Sequence, residues 1–368
     1  MAAAAGGGGG GGNQAESPVI EILLKGTKID EKHYQGYIIE TDVNQPDMAA
    51  IILTNQDDAY SASTEMETEV EVKFGTAGTT IFKGEVVGLE PIFKGGEKSR
   101  IVIRAMNKMH RLLRKRKSRT FVEKTDKEII ETCLGDAGLT LEFTHDSSIT
   151  YKHVYQHNQT DLEFIRVRAA RIGCHVWCED QKVIVKQLKT DDDAGVSYKI
   201  DSSGEATGNV MSFNPRLSTA QVVKKVTVRG WNPETKELIV GDQSVETSRL
   251  GSQNASEFSK TLGGEETFTV DHPIWSQDEA KVLAKARIKD LNMTFITGTL
   301  QAHSVDAAVK VGKTVTIEAN GNDNNDPFNG KYYVQGITYR YQPSQKEHSD
   351  KKDTAHSVLK LARDAAKK

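Results

Sequence analysis

Val70-Glu-Val-Lys-Phe-Gly75, a short loop, then Phe82-Lys-Gly-Glu-Val-Val-Gly-Leu89 is the stretch that decides the fold, because the chain carries it twice. The second copy is Val315-Thr-Ile-Glu-Ala-Asn-Gly321, a longer loop, then Phe328-Asn-Gly-Lys-Tyr-Tyr-Val-Gln-Gly-Ile337. In each, apolar and polar residues alternate up to a glycine turn and resume after Phe-x-Gly, the pattern of two antiparallel strands joined by a hairpin. Two matched strands, two matched turns and the shared Phe-x-Gly point to a duplicated β-barrel unit.

Outward from the first copy, short alternating runs begin at Pro18 and continue through Tyr37–Val43, Met48–Leu53 and Arg100–Met106. Regular short strands without a helical period predict a first β-barrel over 18–118. The middle differs: Thr125-x-x-Glu128 and Thr160-x-x-Glu163 are capping boxes that open helices, followed by the hairpin Cys174–Cys178 and Lys182–Lys186. This predicts an α/β domain over 119–190. Asp191–Gly195 reads as a linker or exposed turn, and strands resume around Val222–Gly230. A second barrel is expected over 191–345, with a helix near 277–291 opened by Ser276-x-x-Glu279. Residues 1–17 read as a disordered glycine-rich tail and 346–368 as a polar C-terminal tail holding at most a weak helix. The fold class expected is mainly β: two related tube-like β-barrels plus a small α/β insert.

At 368 residues and a formal charge of -3, the chain can bury several cores and has no global field for nucleic acid or an anionic membrane. No run of 18 apolar residues exists, so direct membrane insertion is not expected. Residues 1–15 lack the charged front and apolar centre of a secretory signal. Three cysteines, an odd count, argue against a disulfide framework.

Chemical motifs are sparse. Cys174-His-Val-Trp-Cys178 has metal-ligand residue types, but a strand there puts the two thiols on one face and His175 on the other, with no second ligand pair. Ordinary buried cysteines fit better. The run His110–Arg119 is rich in Arg and Lys without interleaved aromatics, so an exposed face or a polar subunit contact fits better than nucleic acid. Glu65–Glu71 alternates as if along a strand edge, and Asn320–Pro327 is oxygen-rich but lacks the closing glutamate of an EF-hand loop. No G-x-S-x-G elbow, P-loop or dinucleotide fingerprint occurs. The expectation is no enzyme, no catalytic or metal residue and no cofactor. Trp231 and Trp275 are expected in the core, with subunit anchoring as the alternative.

In order along the chain, Phe82–Val87, Ile101–Met106 with Arg119-Thr-Phe121, Leu134-Gly-Asp-Ala-Gly-Leu139, Tyr155–Ile165 with Gly173, Val228-Arg-Gly-Trp-Asn-Pro233, Asp278–Ala286, Val311–Ile317 and Phe328–Val334 resemble the phage late-control protein D family, which includes the VgrG hub. The resemblance covers about 18–345. It implies a structural baseplate hub of a contractile tail or injection system, a homotrimer whose two barrels per chain adapt a six-fold tail tube to a three-fold spike. The implied partners are the tube ring protein, a spike protein, other baseplate proteins and a tape-measure protein or cargo in the lumen, with nucleic acid no primary partner. The implied location is a phage tail or injection particle built from subunits made in the bacterial cytoplasm. Nothing after Tyr341 resembles a VgrG needle, so the spike is expected as a separate polypeptide, or this chain as one part of a longer one. A tail-associated cell-wall hydrolase and a nucleic-acid-binding module using residues 110–119 are the alternatives.

Overall fold

The structure, a computed structural model, describes residues 19–145, 149–188, 192–200, 203, 206–207, 210–246, 248, 250–258, 265–270, 273–303, 306, 308–320, 325–343 and 354–367. It is mainly β, with one large sheet running through the molecule.

Alternating burial builds a first unit from β1 (Ile20–Leu24), β2 (Tyr34–Asp42), β3 (Met48–Thr54), β4 (Glu69–Phe74), β5 (Thr79–Ile92) and β6 (Arg100–Met106). Ala49, Ile51 and Leu53 of β3 and Ile101, Ile103 and Ala105 of β6 point to one shared core. Each large aliphatic side chain buried this way contributes about 1.5–3 kcal/mol. The hydrogen-bonded order is β1-β4-β5-β6-β3-β2, with every neighbouring pair antiparallel. A side chain bridges β1 to β2 across the remaining seam. The buried Tyr34 hydroxyl accepts from Ile22 N–H at 3.0 Å and donates to Ile29 C=O at 3.1 Å. Tyr34→Phe should therefore cost about 1–3 kcal/mol, since it strands a buried amide and a carbonyl. Urea denaturation measures this, and an unchanged midpoint would remove the phenol from the seam.

The middle unit comprises β7 (Arg116–Thr125), α1 (Asp126–Gly135), β8 (Thr140–Thr144), β9 (Thr150–Thr160), α2 (Asp161–Arg171), β10 (Cys174–Glu179) and β11 (Lys182–Gln187). Both threonine capping boxes form as read from the sequence. The Thr125 backbone amide, with Lys124 and the Thr125 hydroxyl, holds the Glu128 carboxyl down to about 2. Ile129, Ile130, Leu162 and Ile165 then meet Val176 and Val183 in one core.

The second unit contains β12 (Asp193–Ile200) and β13 (Val210–Leu217), then an insert of β14 (Lys225–Asn232), β15 (Glu237–Ser244), β16 (Glu265–Thr269) and α3 (Gln277–Asn292). It finishes with β17 (Ile296–Ala302), β18 (Thr314–Ala319), β19 (Gly330–Gln342) and β20 (Thr354–Arg363). Leaving the insert aside, its order is β12-β18-β19-β20-β17-β13. By rank in the chain both units run first, fourth, fifth, sixth, third, second. The one difference in sense is that β12 and β18 are parallel where β1 and β4 are antiparallel. The sequence repeat is thus the fourth and fifth strands of a six-stranded unit present twice. β19 joins the two by pairing its far half, Gly336–Tyr341, with Tyr37–Asp42 of β2.

Four sequence expectations are corrected. Residues 354–363 are no polar tail or weak helix: β20 lies between β17 and β19, with Leu359 and Leu361 fully buried on either side of exposed Lys360. The start of the supposed linker is outside the described residues, but Asp193–Gly195 opens β12. The segments 225–244, 265–269 and 277–292 are not part of the second barrel; α3 covers a separate three-stranded sheet and shares a core with Val226, Val228 and Ile274. Finally, Glu65 and Glu67 precede β4 in a turn, so the glutamates do not alternate along one strand.

Candidate functional site

The three cores meet around one cleft of about 990 Å³, and its walls follow from the elements just described. The β4–β5 hairpin gives Phe74 to Lys83, the β10–β11 turn gives Trp177 to Asp180, and the second unit gives Tyr198, Asp306 and Val309–Val311. Asn44, in the turn after β2 with φ 64°, fixes this geometry by accepting from Val176 N–H at 2.9 Å and donating its own amide to the Val176 carbonyl. Lys108 bonds Asp180 at 3.2 Å, tying the first unit's exit to the same turn. Trp177 packs over Gly312 of the second unit, where any Cβ would stand 2.8 Å from the indole. Burial pushes the Asp47 carboxyl up to about 7, against the opposing effect of the Asn107 side-chain amide that donates to it at 2.9 Å.

His175 joins β10 to the second unit through a 2.6 Å contact between Nδ1 and the Tyr333 hydroxyl. Burial lowers its pKa from the ordinary 6.5. The folded protein therefore binds this proton less readily than the unfolded chain, and the stability present above pH 6.5 is lost as pH falls below it. The urea midpoint should drop between pH 7 and pH 5 by more in the parent than in His175→Gln. Equal drops would show that another group governs this range.

Five of the six cations in the basic run pair with carboxylates within the chain. Arg111 pairs with buried Glu85, Arg114 with Glu67 at 2.8 Å, and Arg116 with Glu163 at 3.2 Å. Lys117 and Arg119 share Asp136 and the buried Asp161, and Arg119 also bonds Gln156 at 2.7 Å. Side chains read as one cationic face instead rivet the start of β7 to both helices of the middle unit. The partners lie 17 to 47 residues away in sequence, and for that reason spacing alone did not reveal them.

Cys133, Cys174 and Cys178 are buried, and burial pushes each thiol up to about 12. Such thiols stay protonated and are poor metal ligands. Among the described residues no group of His, Cys, Asp and Glu is placed to hold a metal ion. The calcium reading of Asn320–Pro327 falls partly on 321–324, outside the described residues; Asp326 there caps the Phe328 amide at 2.8 Å. Trp231 is 53% exposed on the outer face of β14, which corrects the expectation of a core residue, while Trp275 is half-buried beneath Lys152 at 5.5 Å. Among the described residues no helix is long and apolar enough to cross a membrane.

This architecture, two six-stranded units joined by an α/β piece, is the fold of phage tail proteins. It matches a tail protein from Neisseria meningitidis MC58 with a TM-score of 0.70 at 13% identity, over 95% of this chain and 97% of that one. A 43 kDa tail protein of prophage MuSo2 from Shewanella oneidensis gives 0.68 at 14% identity, over 96% and 100%. A component of the E. coli type VI secretion system, described as structurally similar to the T4 bacteriophage tail proteins gp27 and gp5, gives 0.58 at 13% identity, over 92% and 76%. The chain belongs to the Alg8 N-terminal domain family, whose model matches residues 14–342. No curated protein matches the sequence. The likeness to late-control protein D thus rests on the motifs quoted above and not on the family match.

Proposed function

We propose that this chain is the structural hub of a contractile tail or injection-system baseplate, a homotrimer that adapts a six-fold tail tube to a three-fold spike. The observation that carries the reading is the identical strand order of the two six-stranded units. Three copies of a chain holding two like units offer six like surfaces around one axis, which a single-unit chain achieves only as a hexamer. The shared fold with tail proteins supports this reading. The partners are then the tube ring on one face and the spike with other baseplate proteins on the other, while the tape-measure protein or cargo passes through the lumen. The particle is a phage tail or an injection apparatus assembled from subunits made in the bacterial cytoplasm. Two features support a role through geometry: the cations of the 110–119 run that pair with carboxylates of the chain, and the protonated thiols. Light scattering on purified protein at micromolar concentration should give three times the 40.5 kDa chain mass. A monomer throughout that range would refute the hub.

A further inference from the structure

β5 is 14 residues long, and its two ends differ in character. Its first residues, Thr79 to Lys83, form a wall of the junction cleft. Its last residues leave the core: 90–98 are all exposed, and beyond Ile92 the chain turns before returning as β6. At this tip stands Phe93, whose 68% exposure is the largest of any large apolar side chain among the described residues. Ile92 beside it is 39% exposed. An aromatic ring left in water at the end of a projecting hairpin is the composition of an interface anchor. Around it Lys94, Lys98 and Arg100 outnumber Glu90 and Glu97 by one, and Glu97 pairs with both Lys94 and Arg100, so the tip carries a small positive excess.

The cleft at the other end is complementary. Phe74, Trp177 and Tyr198 supply aromatic walls, and the carboxyl groups of Asp47, Glu71, Glu179, Asp180 and Asp306 outnumber the lysines Lys83, Lys182 and Lys310 that also line it, two of which pair with Asp180 and Glu179. Tyr198 is only 2% exposed, and its hydroxyl has no hydrogen-bond partner among the described residues. The geometry points to a head-to-tail contact between copies of this chain, in which the Phe93 hairpin tip of one copy enters the junction cleft of the next. The inference rests on the self-assembly proposed above and specifies its contact. A tip and a cleft on opposite ends of one strand cannot satisfy each other within a chain, and a heterologous contact of this kind yields a ring when its rotation closes. Charge complementarity steers the encounter and fixes its register, while the buried ring anchors it.

Two variants on exposed residues test this without touching a core: Phe93→Ser at the tip, and Ala77→Arg, which sets a cation in the cleft wall. Each alone should weaken self-association by at least about tenfold, giving monomer at micromolar concentration with an unchanged thermal midpoint. Mixed, each pair retains one intact tip and one intact cleft, so light scattering should show heterodimers and nothing larger. If either variant keeps the three-chain mass of the parent, the tip-to-cleft contact is wrong while the hub reading stands. If the parent itself is monomeric, the hub reading fails first and this contact with it.

Discussion

A chain stopped after residue 343 is expected not to fold its second unit. The stop removes β20, and β20 is an interior strand whose loss opens a gap between β17 and β19. Leu359, Leu361, Ala362 and Arg363 have no exposed surface in the folded chain. Losing the three apolar side chains alone forfeits on the order of 4–6 kcal/mol, comparable to the whole stability of many domains. Arg363 adds a polar contribution that packing cannot replace. Its guanidinium donates to the carbonyls of Asn329 at 2.6 Å, Leu250 at 3.1 Å and Lys367, and it lies 5.2 Å over the Tyr332 ring. The shortened protein should aggregate on expression or bind a hydrophobic dye, whereas the full chain stays soluble. A cooperative melt equal to that of the full chain would place residues 354–367 outside the fold.

Gly84→Val and Gly330→Val should each strongly destabilise one unit, and for the same physical reason. Both glycines belong to a Phe-x-Gly copy, and both lie where the sixth strand of their unit ends. A Cβ on Gly84 would stand within 2.7 Å of the Met106 carbonyl carbon and of the Phe82 ring. On Gly330, whose φ is +133°, a Cβ would meet the Arg363 guanidinium, its Cζ at 2.8 Å. Met106 and Arg363 close β6 and β20 respectively, so backbone and a buried cation are the obstacles and neither can step aside. The penalty combines overpacking of about 1–3 kcal/mol or more with, at Gly330, a backbone conformation that L residues rarely adopt. Thermal unfolding of the single and double variants measures it. A double variant that melts with the parent would remove the meaning of the shared motif.

The sequence repeat was legible because its signal is local: Val70, Val72, Val315 and Ile317 alternate with polar residues and all four are fully buried. The copies still differ in register. Val72 faces Phe82 and Val70 faces Gly84, but Ile317 faces Gly330 and Val315 faces Tyr332. The tight Gly75–Gly78 turn keeps Phe82 on its strand; the longer second loop leaves Phe328 in a turn, packed against the second core from outside the ladder. β20 was missed because eleven residues separate its start from the end of β19, a polar lysine-rich connection that masks the alternation in Val358-Leu-Lys-Leu361. The capping boxes were legible because hydroxyl and carboxylate sit three residues apart. The junction cleft was not, since Asp47, Trp177, Tyr198 and Asp306 come from four distant segments brought together by contacts such as the shared β19 and the Asn44 clamp.

The hub is tested most directly by imaging the purified full-length protein and averaging particles down their axis. The account predicts a ring of three chains showing six similar lobes around a central opening. Particles with a twofold axis, or single chains with two lobes and no ring, would contradict it.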